Sequence, residues 1–252
     1  MTTHERSSVD PGSEGSFTLS TGQTVDLPLS TEATMLGAVF SASRKAVDDL
    51  LPRELQPVRA TPTGKAAVTF LSVEYRHIGV DGIDSYDEFG VVFPAVRRST
   101  PTVPYLSALY RSMRGYVWSL PVTTEPAKAL GVDIWGYPKF VADTTHKEDD
   151  SRRRTTVSVD DDRLVTLQVD RSPSVQVRDE GYNYTVSDDE LLRIPVDVDA
   201  ELGGWPLGGG VSLSLGSHPR VEPLKNLDIS ERALGRLSLD GEVRFHTGEP
   251  IR

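Results

Sequence analysis

The feature that most restricts the fold of this chain is the spacing of its turn-forming residues. From Phe17 onward, short segments rich in Val, Leu, Phe and Tyr are interrupted every few residues by Gly, Pro, Asp or Asn. β-Branched and aromatic residues suit a pleated, half-buried surface, whereas the interrupting residues supply the backbone geometries of turns. Such punctuation leaves little room for long helices and specifies many strands joined by tight connections. Residues 34–40, 65–75, 85–96, 104–112, 115–122, 139–145, 155–159, 164–169, 175–177, 182–186 and 211–215 read as strands. Three short helices fit between them. Ser43 caps one over 44–51, ended by Pro52, and Thr123 or Thr124 opens another with Pro126 near its start and Gly131 placed to stop it. Ser230 caps the third over 231–237, and Asp240-Gly241 signals a final hairpin. Closing the sheet removes its exposed edges. The expectation is a mainly β fold with a few short helices: an antiparallel β-barrel or strongly curved sheet enclosing a pocket. Residues 16–252 form its single domain, and the polar residues 1–15 a disordered leader.

Composition excludes several classes of function. The formal charge of −10 argues against a nucleic-acid binder, which needs a basic face. With no cysteine there is neither a disulfide nor a thiolate metal site. Neither a signal-peptide core nor an apolar run of membrane-spanning length is present, so the expectation is a soluble, cytoplasmic protein with no nucleic-acid or membrane partner. The five histidines are scattered without an H-E-x-x-H pair, and no G-x-S-x-G elbow occurs. The glycine-rich 203–210 lacks a phosphate-loop ending and reads as sharp bends or a mobile loop. The Asp160-Asp161-Asp162 run reads as a hairpin turn, and the mixed charges of 146–154 as a solvated hairpin tip. No metal or other cofactor is called for.

One segment carries chemistry. In Gly131-Val132-Asp133-Ile134-Trp135-Gly136-Tyr137-Pro138-Lys139, a lysine follows two large aromatic residues and a proline. An ammonium among such groups is poorly hydrated, which favours the neutral amine, a nucleophile that condenses with ketones. Taken alone, the same spacing also describes a surface lysine at a strand start. Upstream, the period of two in 85–96 sets Phe89, Val91 and Phe93 on one face and Tyr86, Glu88, Gly90 and Val92 on the other. Glu88 then faces either solvent or, in a closed barrel, the interior. In 65–75, Ala67, Leu71, Val73 and Tyr75 share a face that Thr69 interrupts.

Ala129-Leu130-Gly131 through Tyr137-Pro138-Lys139 resembles the active-site segment of the acetoacetate decarboxylase family, where an Ala-x-Gly-Arg-Glu stretch runs into Tyr-Pro-Lys. Tyr86-Asp87-Glu88 resembles the family's Tyr-x-Glu, and weaker similarity, including Leu50-Leu51-Pro52, extends over most of 15–245. The resemblance implies a β-barrel that assembles into homo-oligomers, a Schiff base on Lys139 and a glutamate, Glu88, facing it. Beside these two, Tyr137, Trp135, Phe140, Tyr86, Arg76 and Trp118 are the expected substrate-binding residues. Acetoacetate decarboxylase is itself the standing example of a lysine activated by a neighbouring cation, so that idea is the family's and not a reading of these residues.

The departures are specific. The second lysine that follows the nucleophile in the family is Phe140 here, so repulsion is lost while desolvation can act in the same direction. Val132 and Asp133 stand for the family's Arg-Glu, and the arginine associated with the substrate carboxylate falls near Ala33. Arg76, Arg111 or Arg114 are the candidate replacements, Arg76 first because it lies just past a strand leading toward Glu88. The expected activity is a lysine-iminium carbon–carbon lyase acting on a small keto acid, in a specialised biosynthetic (secondary-metabolic) setting. Decarboxylation comes first. A pyruvate-type aldolase–dehydratase is the alternative within the superfamily, and a non-catalytic barrel holding a hydrophobic metabolite the alternative outside it.

Overall fold

A computed structural model describes residues 15–100, 115–206 and 208–251. The strand expected over 104–112, the arginines Arg111 and Arg114, and nearly all of the leader lie outside the described residues. A small hairpin, β1 (Ser16–Thr18) with β2 (Thr24–Asp26), leads into β3 (Leu29–Ala42) and helix α1 (Arg44–Asp48). Ser43 caps that helix as expected, its hydroxyl accepting from the Ala46 N–H. Strands β4 (Leu55–Pro57), β5 (Ala66–Ile78), β6 (Tyr86–Phe93), β7 (Ala95–Arg97) and β8 (Gly115–Val122) precede helix α2 (Glu125–Trp135). Next come β9 (Lys139–Val141), β10 (Asp143–Asp149), β11 (Arg152–Val159), β12 (Asp162–Asp170), β13 (Ser174–Ser187) and β14 (Glu190–Trp205). The chain continues through β15 (Val211–Leu215), helix α3 (Glu222–Lys225), β16 (Ala233–Phe245) and β17 (Glu249–Pro250). The fold is mainly β, and no described helix is long and apolar enough to cross a membrane.

The large sheet runs β13-β14-β16-β3-β5-β6-β8, and β8 pairs back onto β13, so the hydrogen bonds form a ring. The closing contact is parallel and brief, Asn183 with Gly115 and Tyr184 with Tyr116. Parallel pairing also joins β8 to β9, which lies outside the ring path. Neither pairing was anticipated from an all-antiparallel reading. A second sheet, β10-β11-β12-β15, packs on the outside.

Both faces of β5 and β6 are therefore largely buried, whereas much of β13 is exposed. Val73, Tyr75, Tyr86, Leu120, Val122, Ile194, Val196, Val198 and Leu239 belong to a core inside the ring. The alternate residues Leu36, Phe40, Phe70, Phe89, Val91 and Phe93 belong to a second core, shared with Val157, Leu167 and Val169 of the outer sheet. This is the alternation expected for 85–96 and 65–75, now with no solvent-facing side. Phe70 sits between Phe40 and Phe89, with ring centroids 5.8 and 6.4 Å away.

Several expectations are corrected. Residues 231–245 contain no capped helix and no hairpin at Asp240-Gly241. Residues 233–245 run as β16, and Gly241 is a close-approach residue, since a Cβ there would fall 2.6 Å from the Ala200 Cα of the neighbouring strand. Ser230 instead ties to β3, through the Ser41 N–H and its own N–H to Ser41 O. The stretches 175–177 and 182–186 are one strand of 14 residues, and β14, of 16 residues, was not foreseen. Pro195 in its centre obscured it, although Ile194, Val196, Val198 and Ala200 alternate with charged residues beyond that proline. Residues 203–205 of the glycine-rich stretch end this strand. Gly131 does not stop α2. Thr124 caps its start and Gly136, at φ 66°, its end.

The charged tip at 146–154 is a hairpin, but only partly solvated. Arg153 is 2% exposed, its guanidinium held at 2.8 Å by both Glu148 and Glu74, where the outer sheet meets β5. Asp160 and Asp161 form the expected hairpin turn, both at positive φ. Among the described residues no cluster of metal-ligating side chains occurs.

Because Phe70 is fully buried between two aromatic partners, Phe70→Ala is expected to lower the unfolding free energy by about 3–5 kcal/mol. Val175→Ser, at a position 68% exposed, is expected to change it by less than about 0.5 kcal/mol. Denaturant unfolding of the two variants checks both.

Candidate active site

Lys139 reaches the inside of the ring through a tightly specified approach. The left-handed Gly136 ends α2 against β13, where a Cβ would meet Ser187 at 2.6 Å, and the Thr185 hydroxyl donates to Gly136 O. Tyr137 N–H turns back to Gly131 O, and Leu120 N–H donates to Pro138 O, so that Lys139 enters beside β8 in register with Leu120. Its side chain then runs along α2. A Cβ on Gly131 would lie 2.6 Å from Lys139 Cδ and closer still to Cε. Glycine inside a helix costs about 1 kcal/mol relative to alanine. Here it leaves the space the lysine occupies.

Nζ ends 2.7 Å from Glu88 Oε2, with the two side chains 5% and 8% exposed. Glu88 comes from β6, opposite Val73 on one side and Val122 on the other. The alternation that put it across from the phenylalanines thus aims it inward, not to solvent. The Tyr86 hydroxyl lies 3.5 Å from Nζ and its ring 5.3 Å below it. Tyr75 of β5 pairs in register with Tyr86, ring centroids 4.8 Å apart. Tyr137 completes a set of three buried phenols around the ion pair. Burial raises all three phenols above the ordinary value of 10, and the Glu88 carboxylate adds to the effect. At Tyr137 the Asn183 side chain opposes the rise. All three therefore remain O–H donors near neutral pH.

The other expected site residues divide. Trp135 stands behind Tyr137, with ring centroids 5.8 Å apart, packs on Phe245, and donates its indole N–H to His246 O. Phe140 and Trp118 are on the opposite side of their strands, in the outer core. Arg220 covers the Phe140 ring at 4.2 Å, and Trp118 packs on Phe93. Strand alternation accounts for both, because the residues beside them, Lys139 and Val117, point inward. Desolvation of Lys139 therefore comes from the phenols and aliphatic residues and not from Phe140. Arg76 is likewise on the outward side of β5. It pairs with Asp240 at 2.6 Å and donates to Thr34, so it is not brought to the lysine. Ala33, where the family's arginine was sought, is buried inside the ring next to Tyr75. Among the described residues the buried arginine is Arg153, in the seam with the outer sheet.

Sequence reasoning missed two members of the site. Tyr75 lies on the face that strand alternation predicts, which by itself assigns it no role, and Gly131 has the chemistry of a helix stop but lies within the helix. The signal for Gly131 was its position eight residues before the lysine, inside the helical run and not after it.

Gly131→Ala is expected to leave the protein folded but to displace the Lys139 side chain. The rate of covalent reaction at that amine should fall on the order of 10²-fold, the typical cost of an ångström-scale misplacement. Reaction of the variant with an amine-selective reagent, followed by peptide mass spectrometry and circular dichroism, checks both halves.

The family model described as Acetoacetate decarboxylase (ADC) matches residues 17–252. No curated protein matches the chain. Among solved structures, acetoacetate decarboxylase from Legionella pneumophila superposes with a TM-score of 0.66 at 14% identity, covering 89% of this chain and 87% of that one. The enduracididine biosynthesis enzyme MppR with bound HEPES gives 0.67 at 14% identity, with 98% of each chain covered. MppR complexed with the condensation product of pyruvate and imidazole 4-carboxaldehyde gives 0.63 at 13% identity, covering 95% and 98%. At these identities the superpositions speak for the fold, and the family match over nearly the whole sequence for the lineage. This chain belongs to the acetoacetate decarboxylase family.

Proposed function

We propose that this protein is a Schiff-base lyase acting on a small keto acid, with Lys139 as the nucleophile and Glu88 as its proton partner. The observation that carries the reading is the Lys139–Glu88 contact of 2.7 Å, buried inside a ring lined there by aliphatic side chains and phenols. A charge pair is costly to hold where water is excluded. One proton moved from Nζ to Oε2 turns it into a neutral amine beside a carboxylic acid. The amine adds to the substrate carbonyl carbon, and the hydroxyl of the resulting carbinolamine takes the proton held by Glu88 and leaves as water, giving an iminium beside a Glu88 carboxylate.

For a 3-oxo acid, the bond to the carboxylate then breaks. Its electron pair moves into the iminium to form an enamine as CO2 leaves, a proton returns to carbon, and hydrolysis releases the ketone and the free lysine. Decarboxylation ranks first because the lining near Lys139 is aliphatic and phenolic: Val73, Leu120, Val122, Tyr75 and Tyr86. A carboxylate about to become neutral CO2 is not helped by a strong ionic clamp, which stabilises the ground state more than the transition state.

The second reading is an aldolase–dehydratase, in which a pyruvate-derived enamine attacks an aldehyde. Its support is the likeness to MppR, solved with a condensation product of pyruvate and an aldehyde. Both readings share the iminium. Homo-oligomeric assembly and a specialised biosynthetic setting belong to the same proposal.

Borohydride trapping with acetoacetate and with pyruvate, read by peptide mass spectrometry, is expected to reduce an adduct onto Lys139 that is absent in Lys139→Ala. CO2 release against aldehyde consumption separates the two reactions. No adduct with any keto compound on folded protein overturns the enzyme reading and leaves a barrel that binds a hydrophobic metabolite. Glu88→Gln, which keeps shape but removes the proton acceptor, is expected to slow turnover by about 10²–10⁴-fold.

A further inference from the structure

Tyr75 has three properties that its role as a core residue does not require. The residue is 7% exposed and its hydroxyl has no hydrogen-bond partner among the described residues, a state it shares with the fully buried hydroxyl of Tyr137. A buried tyrosine hydroxyl ordinarily finds one. It faces Glu88, Tyr86 and Tyr137 closely enough for each to push its ionisation upward, so it stays a neutral donor. On the side away from Tyr86 its neighbours in register are small, Ala33 of β3 and, across successive strands, Gly241 of β16 and Ala200 of β14. Tyr86 and Glu88 are both in contact with Nζ, whereas Tyr75 stands one strand further from it.

We infer that Tyr75 is a specificity-determining residue. Its O–H donates a hydrogen bond to the carboxylate of a short keto acid whose carbonyl carbon is at Lys139. This rests on the Schiff-base reading above and names what holds the far end of the substrate. Moving the lysine proton onto Glu88 removes the like charge that would oppose a carboxylate beside Tyr75. A neutral phenol then supplies one directional bond without the tight ion pair of a guanidinium. Recognition of the carboxylate then rests on a phenol beside Ala33, the position near which the family's arginine falls.

The test is Tyr75→Phe, which keeps the ring and its packing on Tyr86, assayed by borohydride trapping against two ligands of similar size. One is acetoacetate and the other is 2-pentanone, a methyl ketone without a carboxylate. The half-saturating acetoacetate concentration is expected to rise about tenfold or more, the loss of a hydrogen bond to a charged group, while the limiting trapping rate changes less than about threefold. The 2-pentanone curve is expected to stay within about twofold of wild type. Equal losses for both ligands mean that Tyr75 is structural, and unchanged curves mean that it does not touch the carboxylate. Either result overturns the inference. Wild-type protein that traps neither of these ligands nor pyruvate overturns the Schiff-base reading itself and this inference with it, an outcome distinct from any behaviour of the variant. If pyruvate alone is trapped, the same Tyr75→Phe comparison is read on pyruvate, with the same outcomes. Thermal unfolding of Tyr75→Phe, expected to match wild type closely, separates a lost contact from a lost fold.

Discussion

A lysine and a glutamate share the inside of an apolar ring, and the rest of the fold follows from keeping them there. Taking two opposite charges out of water costs several kcal/mol per ion before their attraction is counted, and only close contact and extra hydrogen bonds recover it. The structure supplies the contact at 2.7 Å and surrounds it with phenols, whose hydroxyls are polar and whose rings exclude water. An arrangement that expensive persists only when its surroundings over-determine it. Both strand ends, the helix and the left-handed Gly136 do so here.

Ring closure makes the inside possible. An open sheet with one solvated face would leave Glu88 in water, where its pairing with a lysine is worth less than about 1 kcal/mol. Closing β8 onto β13 and covering the outer face with a second sheet buries both sides of β5 and β6. The outer core of phenylalanines holds these strands flat against the second sheet. The inner residues can then be chosen for chemistry instead of packing alone. Arg153, clamped between Glu74 and Glu148, extends the attachment past the edge of that outer core.

Much of this was legible in the chain, and for local reasons. Period-two alternation in β6 separated Glu88 from the phenylalanines without any knowledge of the ring, and the Ser43 and Thr124 caps marked their helices. The lysine segment stood out by composition. What could not be read depended on contacts distant in sequence. Asp240-Gly241 has the chemistry of a turn, but its glycine is there because β14 passes 41 residues away in number and against it in space. The faces of Phe140 and Trp118 depend on where β9 joins β8, and a parallel pairing of three residues leaves no mark on composition. Arg76 looked available because nothing local reveals Asp240, 164 positions on, as its partner.

The passage of the Lys139 side chain over Gly131 has a mechanical consequence. Lysine has four rotatable bonds, and on a surface its amine sweeps a wide volume. Here the methylenes lie where any side chain at 131 would begin, so the rotamer that carries the amine to Glu88 is open only while position 131 has no Cβ. The reach of the amine is thus fixed by the separation between a helix and a strand, two elements that meet at a residue with no side chain.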